Sequence, residues 1–364
     1  MIILKPYRPN YFLLKWKYTL YIFLPAFSFF MQTITNRLYA QDAVFSQYYA
    51  SSLYLNPALA GLQPDIALST NYRMQWLNVN PYTTTQISLI YPFLNKNNPI
   101  HEHIGGAGLS VFKDNAGEGN AMRTSGANLN LAYNISLGIE KINLISFGLQ
   151  GGFVQQQLNT SNYIWGSQYT TGSNMLDVNN GENIMTQKFY PSIASGVMWY
   201  FANSKDVAKN SFKAYAGGSL YNINRPNKSM LEGQIIRAPW LIKFNGGMSL
   251  PLSKRISLSP NAIVALQNGL RQINVGMYLS FLLSNNEVGI FAHPEFIVGG
   301  WYRLGDAVIF NTGFATNRWS VGFSYDLNNS SLSKYTNSQG AYEISLGIKI
   351  PRGLKIKRYD TPRI

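Results

Sequence analysis

The chain has no cysteine, so disulfide frameworks, thiolate zinc sites and cysteine nucleophiles are excluded together. Only carboxylate, histidine and hydroxyl chemistry remains. Charge is scarce too: Asp, Glu, Lys and Arg make up 13% of the 364 residues, about half the ~25% of an ordinary soluble domain. With 24 Tyr, 20 Phe and 31 Gly in their place, this argues against a typical cytosolic enzyme and against charge-rich disorder. A mean hydropathy of -0.09 leaves no room for a bundle of helices of ~20 apolar residues each. A membrane protein built of strands is compatible with every one of these absences.

The formal charge of +14 suggests nucleic acid until it is divided along the chain. Residues 1–40 hold Lys5, Arg8, Lys15, Lys17 and Arg37 with no acid, and the stretch from Pro351 holds five basic residues against Asp360. The basicity therefore sits mostly at the two ends, and no nucleic-acid partner is expected. Four positive residues precede an apolar run from Tyr18 to Met31, and a polar stretch then ends at Leu38-Tyr39-Ala40. A charged start, a core of ~7 to 15 apolar residues and a small residue at the cut describe a secretory signal peptide. Cleavage is expected after Ala40.

From Gln41 the chain alternates apolar with small or polar residues at period two, the pattern of strands with one greasy face. Trp319, Val321, Phe323 and Tyr325 alternate with Ser320, Gly322, Ser324 and Asp326. Leu129, Leu131, Tyr133 and Ile135 do the same against Asn128, Asn130, Ala132 and Asn134. A soluble sandwich also alternates, but its second face carries Lys, Glu, Thr and Arg. Here that face is Gly, Ala, Ser, Asn and Gln, which suits the inside of a barrel. Aromatics near the run ends, among them Tyr72, Trp76, Trp199, Trp301, Tyr302 and Trp319, read as interfacial girdles.

The expected fold is all-β: a transmembrane antiparallel up-and-down β-barrel of about 14 strands, of the bacterial outer-membrane type. Strands are expected at 65–77, 82–92, 103–113, 123–136, 142–155, 190–202, 211–221, 239–251, 255–267, 271–283, 287–302, 306–314, 318–326 and 341–350. Long connections are expected after strands three, five, seven and thirteen, all at one end, as outer loops should be. The organisation is then a signal peptide over 1–40, a periplasmic N-terminal segment over 41–64, the barrel over 65–350 and a basic periplasmic tail over 351–364. Closure pairs the first and last strands. Arg73 and Glu343 are thereby expected to meet inside the lumen, with Asp326 as the alternative partner of Arg73.

Other motifs have plain readings. His101-Glu102-His103 places two imidazoles on one side of an extended chain, as metal ligation requires, but has no third ligand. The glycine-rich stretch from Gly105 to Gly119 lacks the Lys-Ser or Lys-Thr of a phosphate loop and reads as barrel wall. Asp114, Asp306 and Asp326 lack EF-hand spacing. A barrel lipase would need a nucleophile and base such as Ser257 or Ser259 with His293. No catalytic, metal or cofactor site is expected.

The opening Gln41-Asp42-Ala43-Val44-Phe45-Ser46-Gln47-Tyr48, followed by Leu55-Asn56-Pro57-Ala58-Leu59-Ala60-Gly61, resembles the start of the PorP/SprF family of type IX secretion system outer-membrane proteins. Tyr72-Arg73-Met74-Gln75-Trp76, Asp114-Asn115-Ala116-Gly117, Phe323-Ser324-Tyr325-Asp326 and Ala341-Tyr342-Glu343-Ile344 are similar to its later blocks, in order. Departures are Ala43 for a usual Pro, Ser51-Ser52 for an Asn-Pro pair and Tyr342 for a common His.

The resemblance implies a non-enzymatic outer-membrane component that supports secretion or surface retention of an exported, adhesin-like protein with a type IX C-terminal sorting domain. It also implies periplasmic type IX components as partners, outer-membrane lipid as surroundings, and in some members a link to gliding motility. Family-motif residues for docking are Phe45, Gln47, Tyr48, Asn56, Pro57, Gly61, Arg73 and Trp76, although Asn56, Pro57 and Gly61 also read as a turn that plugs the barrel base. The competing class is a diffusion porin or solute channel, which the sparse interior charge disfavours.

Overall fold

A computed structural model of the chain describes residues 45–351 except 77–81, 96–101, 118–119, 139–141, 160–185, 204–210, 285–288 and 332. The expected signal peptide, the tail beyond Pro351 and His101 of the paired-histidine motif lie outside the described residues. The described residues form fourteen strands: β1 Ile66–Gln75, β2 Tyr82–Asn95, β3 Glu102–Ala116, β4 Met122–Leu137, β5 Asn143–Leu158, β6 Gln187–Ala202 and β7 Lys213–Tyr221; then β8 Leu241–Pro251, β9 Ile256–Gln267, β10 Leu270–Leu282, β11 Glu295–Arg303, β12 Ala307–Ala315, β13 Trp319–Asn328 and β14 Gln339–Ile350. Each pairs antiparallel with its sequence neighbours, and β1 closes on β14 from Ile66 opposite Ile350 to Gln75 opposite Ala341. The fold is a closed 14-stranded antiparallel barrel. Closure leaves no edge strand with unpaired backbone groups.

Period two sorts the side chains. In β4, Asn128, Asn130 and Asn134 are buried inward while Leu129, Leu131, Tyr133 and Ile135 are exposed outward. In β5, Phe147, Leu149 and Phe153 face out. The exposed Leu, Ile, Phe, Tyr and Val continue from strand to strand around the wall, far beyond the few hundred Å² of contiguous apolar surface that a soluble monomer shows. Such an exterior on a closed barrel is the arrangement that bilayer hydrocarbon demands.

Several expectations are corrected. Strand eleven starts at Glu295, not near residue 287, because positive φ at Gly289 (97°) and His293 (50°), then Pro294, break the run. The connection after β3 spans only 117–121, since both flanking strands run further than their alternation shows. Those after β6 (203–212) and β10 (283–294) are as long as or longer than the one after β13 (329–338), so the asymmetry of the barrel ends rests on 159–186 and 222–240. Trp301, read as a girdle ring, points inward, because Ile297, Trp301 and Arg303 share the lumen face of β11. Gly105–Ala116 is strand, as expected of barrel wall.

The segment placed on the periplasmic side, 41–64, is from Phe45 onward inside the barrel. It includes a short helix, α1 (Ser52–Leu55), and a 3-10 turn, Pro57–Gly61. Tyr48, Leu55, Leu59 and Leu62 pack on inward side chains including Leu144, Met198, Ile263 and Ile309. These wall residues are large and apolar rather than small and polar. They give the barrel a core that a porin does not have.

Candidate functional site

The site is this internal plug and the wall that holds it. Phe45, Gln47, Tyr48, Asn56, Pro57 and Gly61 are all buried within it. The plug starts at the end where β1 and β13 finish, descends through the lumen and leaves at the opposite end to begin β1.

At its start the plug meets four buried charges. Arg73 of β1 donates from Nη2 to Asp326 of β13 at 2.7 Å and from Nη1 to Glu343 of β14 at 3.4 Å. Arg303 of β11 lies 3.3 Å from Asp326 and donates to the half-exposed Asp306 at 3.0 Å. Two guanidinium groups thus balance the two buried carboxylates, the condition for ions to persist away from water. The structure brings together the expected Arg73 and Glu343, and Asp326 with them.

The plug completes this cluster. The Ser46 hydroxyl donates to Asp326 at 2.9 Å and accepts from Arg73 (2.6 Å) and Arg303 (3.1 Å), which uses its hydrogen and both lone pairs. The backbone N–H groups of Ser46 and Gln47 donate to the Glu343 carboxylate at 2.6 and 3.1 Å. The Gln47 amide donates to the Glu343 carbonyl at 2.9 Å and accepts from Ser345 at 2.6 Å. Sequence analysis did not single out Ser46 or Arg303. The signal available was the scarcity of charge itself, which makes any strand arginine at an inward position one that needs a partner.

Next to this charge cluster, Tyr48 packs 5.8 Å from Trp301, and Tyr278 lies 5.7 Å beyond. Phe45 makes an edge contact with Tyr54 at 5.4 Å. The Lys243 ammonium sits over Tyr54 (4.3 Å) and Tyr221 (4.6 Å) and donates to the Tyr54 carbonyl at 2.7 Å.

Lower down, Asn56 ties the plug to the wall. Its Oδ1 accepts from the Ala58 N–H at 3.0 Å and caps the 3-10 turn, with Pro57 at the first position where no N–H is needed. Its Nδ2 donates to the carbonyls of Val197 (3.1 Å) and Gly218 (3.2 Å), which face each other on β6 and β7. Ser219 and Ser146 donate to the carbonyls of Leu55 and Ala58, both at 2.8 Å, and Asn134 donates to that of Gly61. The backbones come this close because Gly148 and Gly196 carry no Cβ: one at Gly148 would strike Ala58 N, and one at Gly196 the Asn56 amide. Trp76 is not part of this site. It ends β1 with φ 53°, donates its N–H to Gly340 and packs near Tyr82.

The arrangement holds a segment of chain. His293 pairs its Nδ1 with Asn317 on the surface, while Ser259 is turned into the barrel. Among the described residues no group of three or more His, Asp or Glu could hold a metal ion.

No curated protein matches this chain. Among solved structures it is similar to the CymD monoaromatic hydrocarbon channel, at 10% identity and TM-score 0.44 over 86% of this chain and 95% of that one. The Pseudomonas putida toluene transporter TodX matches at 8% identity and TM-score 0.45, covering 86% and 99%, and a Pseudomonas aeruginosa FadL homologue at 9% and 0.45, covering 83% and 94%. Residues 37–348 match the family model of the type IX secretion system membrane protein PorP/SprF, and the chain belongs to that family.

Proposed function

We propose that the protein is an outer-membrane component of the type IX secretion machinery that supports export and surface retention of a partner protein. The partner is an adhesin-like cargo with a type IX C-terminal sorting domain, and gliding motility is a use to which such display can be put. The protein reaches the membrane by a signal peptide cut after Ala40. The observation that carries this reading is a lumen filled by the chain's own segment in a member of a secretion family. A barrel corked in this way is suited to holding a protein at its rim rather than to passing solutes.

Outer contacts fall to the connections after odd strands. The 222–240 connection exposes Ile235, Ile236 and Trp240, the last under the Arg225 guanidinium at 5.4 Å, and Tyr335 stands out from the short helix Ser333–Thr336. Aromatic, aliphatic and arginine side chains of this kind are what protein interfaces bury. The basic tail after Pro351 serves the periplasmic components. The buried motif residues Phe45, Gln47, Tyr48, Asn56, Pro57 and Gly61 act by seating the plug.

The test is deletion followed by comparison of the surface and medium proteomes. Loss of one large exported protein from the surface supports the reading, and an unchanged profile overturns it. The channel reading is weighed by conductance in planar bilayers, where the corked barrel is expected to show no large steady current.

A further inference from the structure

The outer wall is not evenly covered. Across β2 to β8 it is indented by a groove of about 850 Å³. Its sides are Phe93, Tyr133, Phe147, Leu149 and Phe244, all exposed outward. At its centre Ser195 on β6 and Gly218 on β7 project little outward, while their cross-strand partners Leu220 and Val197 form the apolar floor beside them. The neighbouring inward positions, Gly148 and Gly196, are backed directly by Ala58 and Asn56 of the plug. The wall between groove and plug is one backbone thick.

No charged side chain lines the groove, and the Ser219 hydroxyl is already turned inward onto Leu55. Ser195 gives the groove an outward hydroxyl, too little to hold water with the partners it needs or to fix a polar protein ligand. The groove is continuous with the apolar band that circles the barrel, so the occupant is drawn from what bathes that band, and hydrocarbon regains the dispersion contacts an open gap forfeits. We propose that the groove is a binding site for one acyl chain of a membrane lipid. This rests on the outer-membrane reading above. The chain would lie against Val197 and Gly218, the same two residues whose carbonyls receive Asn56, so groove occupancy and plug seating act on one pair of strands.

The natural absence of cysteine makes the test direct. Ile193→Cys, beside the groove on the outer face of β6, and Gly300→Cys, on the outer face of β11 where a Cβ would meet nothing within 4 Å, each carry a bimane fluorophore. The full-length mature protein in maltoside micelles is titrated with phosphatidylcholine bearing brominated chains, which quench bimane on contact. Quenching at 193 is expected at a lipid mole fraction about threefold or more below that needed at 300, a difference of ~0.65 kcal/mol or more. Filling the groove with Gly218→Leu, or independently Ser195→Phe, is expected to bring the two curves together. Coincident curves in the unfilled protein overturn the proposal, as does a position 193 that stays unquenched while 300 is quenched, which would mean a second copy or another protein covers the groove. If neither position is quenched, it is the membrane-spanning reading that fails.

Discussion

Arg73 stands directly opposite Glu343 across the β1–β14 seam, yet its shorter ion pair, 2.7 Å, is with Asp326 one strand further on. A single guanidinium therefore spans the first strand and the last two. Ser46 of the plug enters the same cluster, so barrel closure and plug seating share one set of bonds.

Removing one side of that balance should be costly. Arg73→Met leaves Asp326 and Glu343 with only Arg303 nearby, and loss of one partner from a buried pair typically costs ~3–5 kcal/mol. Urea unfolding in detergent micelles should show this loss. Ser46→Ala removes a hydroxyl that makes three bonds but no ion, so about 1–3 kcal/mol is expected.

Asn56 offers a test of the plug's seat. Asn56→Ala leaves the Val197 and Gly218 carbonyls short of a donor, and Asn56→Asp turns a carboxylate oxygen onto them. The order of damage should be Asp worse than Ala, with Ala costing about 1–3 kcal/mol. Planar-bilayer recordings should show brief openings in both variants and more open time in Asp.

The wall glycines give a contrast within one strand. Gly148→Val drives a side chain into Pro57–Ala58 and should dislodge the plug, read as protease cleavage within 45–65 in intact cells. Gly151→Val, on the outer face of the same strand, meets nothing within 4 Å and should change stability by no more than ~0.5 kcal/mol.

Cargo holding should separate from barrel integrity. Ile235→Asp and Tyr335→Asp alter exposed side chains on outer connections and should leave heat-modifiable gel mobility unchanged. Together they should cut the surface-retained share of the partner protein severalfold, measured by surface proteomics. Full retention would move the contact elsewhere.

The wall was legible because its code is local. Alternation at Leu129–Ile135 or Trp319–Asp326 states both strand and face, and once the first and last strands are phased, Arg73 and Glu343 must come near each other. The plug was legible only in part, through the turn at Asn56, Pro57 and Gly61 that read as plugging the barrel base. Phe45–Asp65 has neither period two nor a long helical stripe, and what places it inside are single groups, Asn56 and Ser46, whose partners lie far along the chain. Ile290 and Phe291 look like strand because they are apolar, but the positive φ at Gly289 and His293 decides otherwise. The outer groove is silent for a simpler reason: it is made by what Ser195 and Gly218 do not have.

The partners of Ser46 and Gln47 on β14 lie almost 300 positions downstream, at the far end of synthesis. An emerging chain therefore carries its cork from the beginning and has nowhere to put it until the final hairpin arrives. Contacts of such long sequence separation form late and slowly. A partly built sheet can neither leak nor seal, and the finished cylinder becomes tight at the moment it becomes whole.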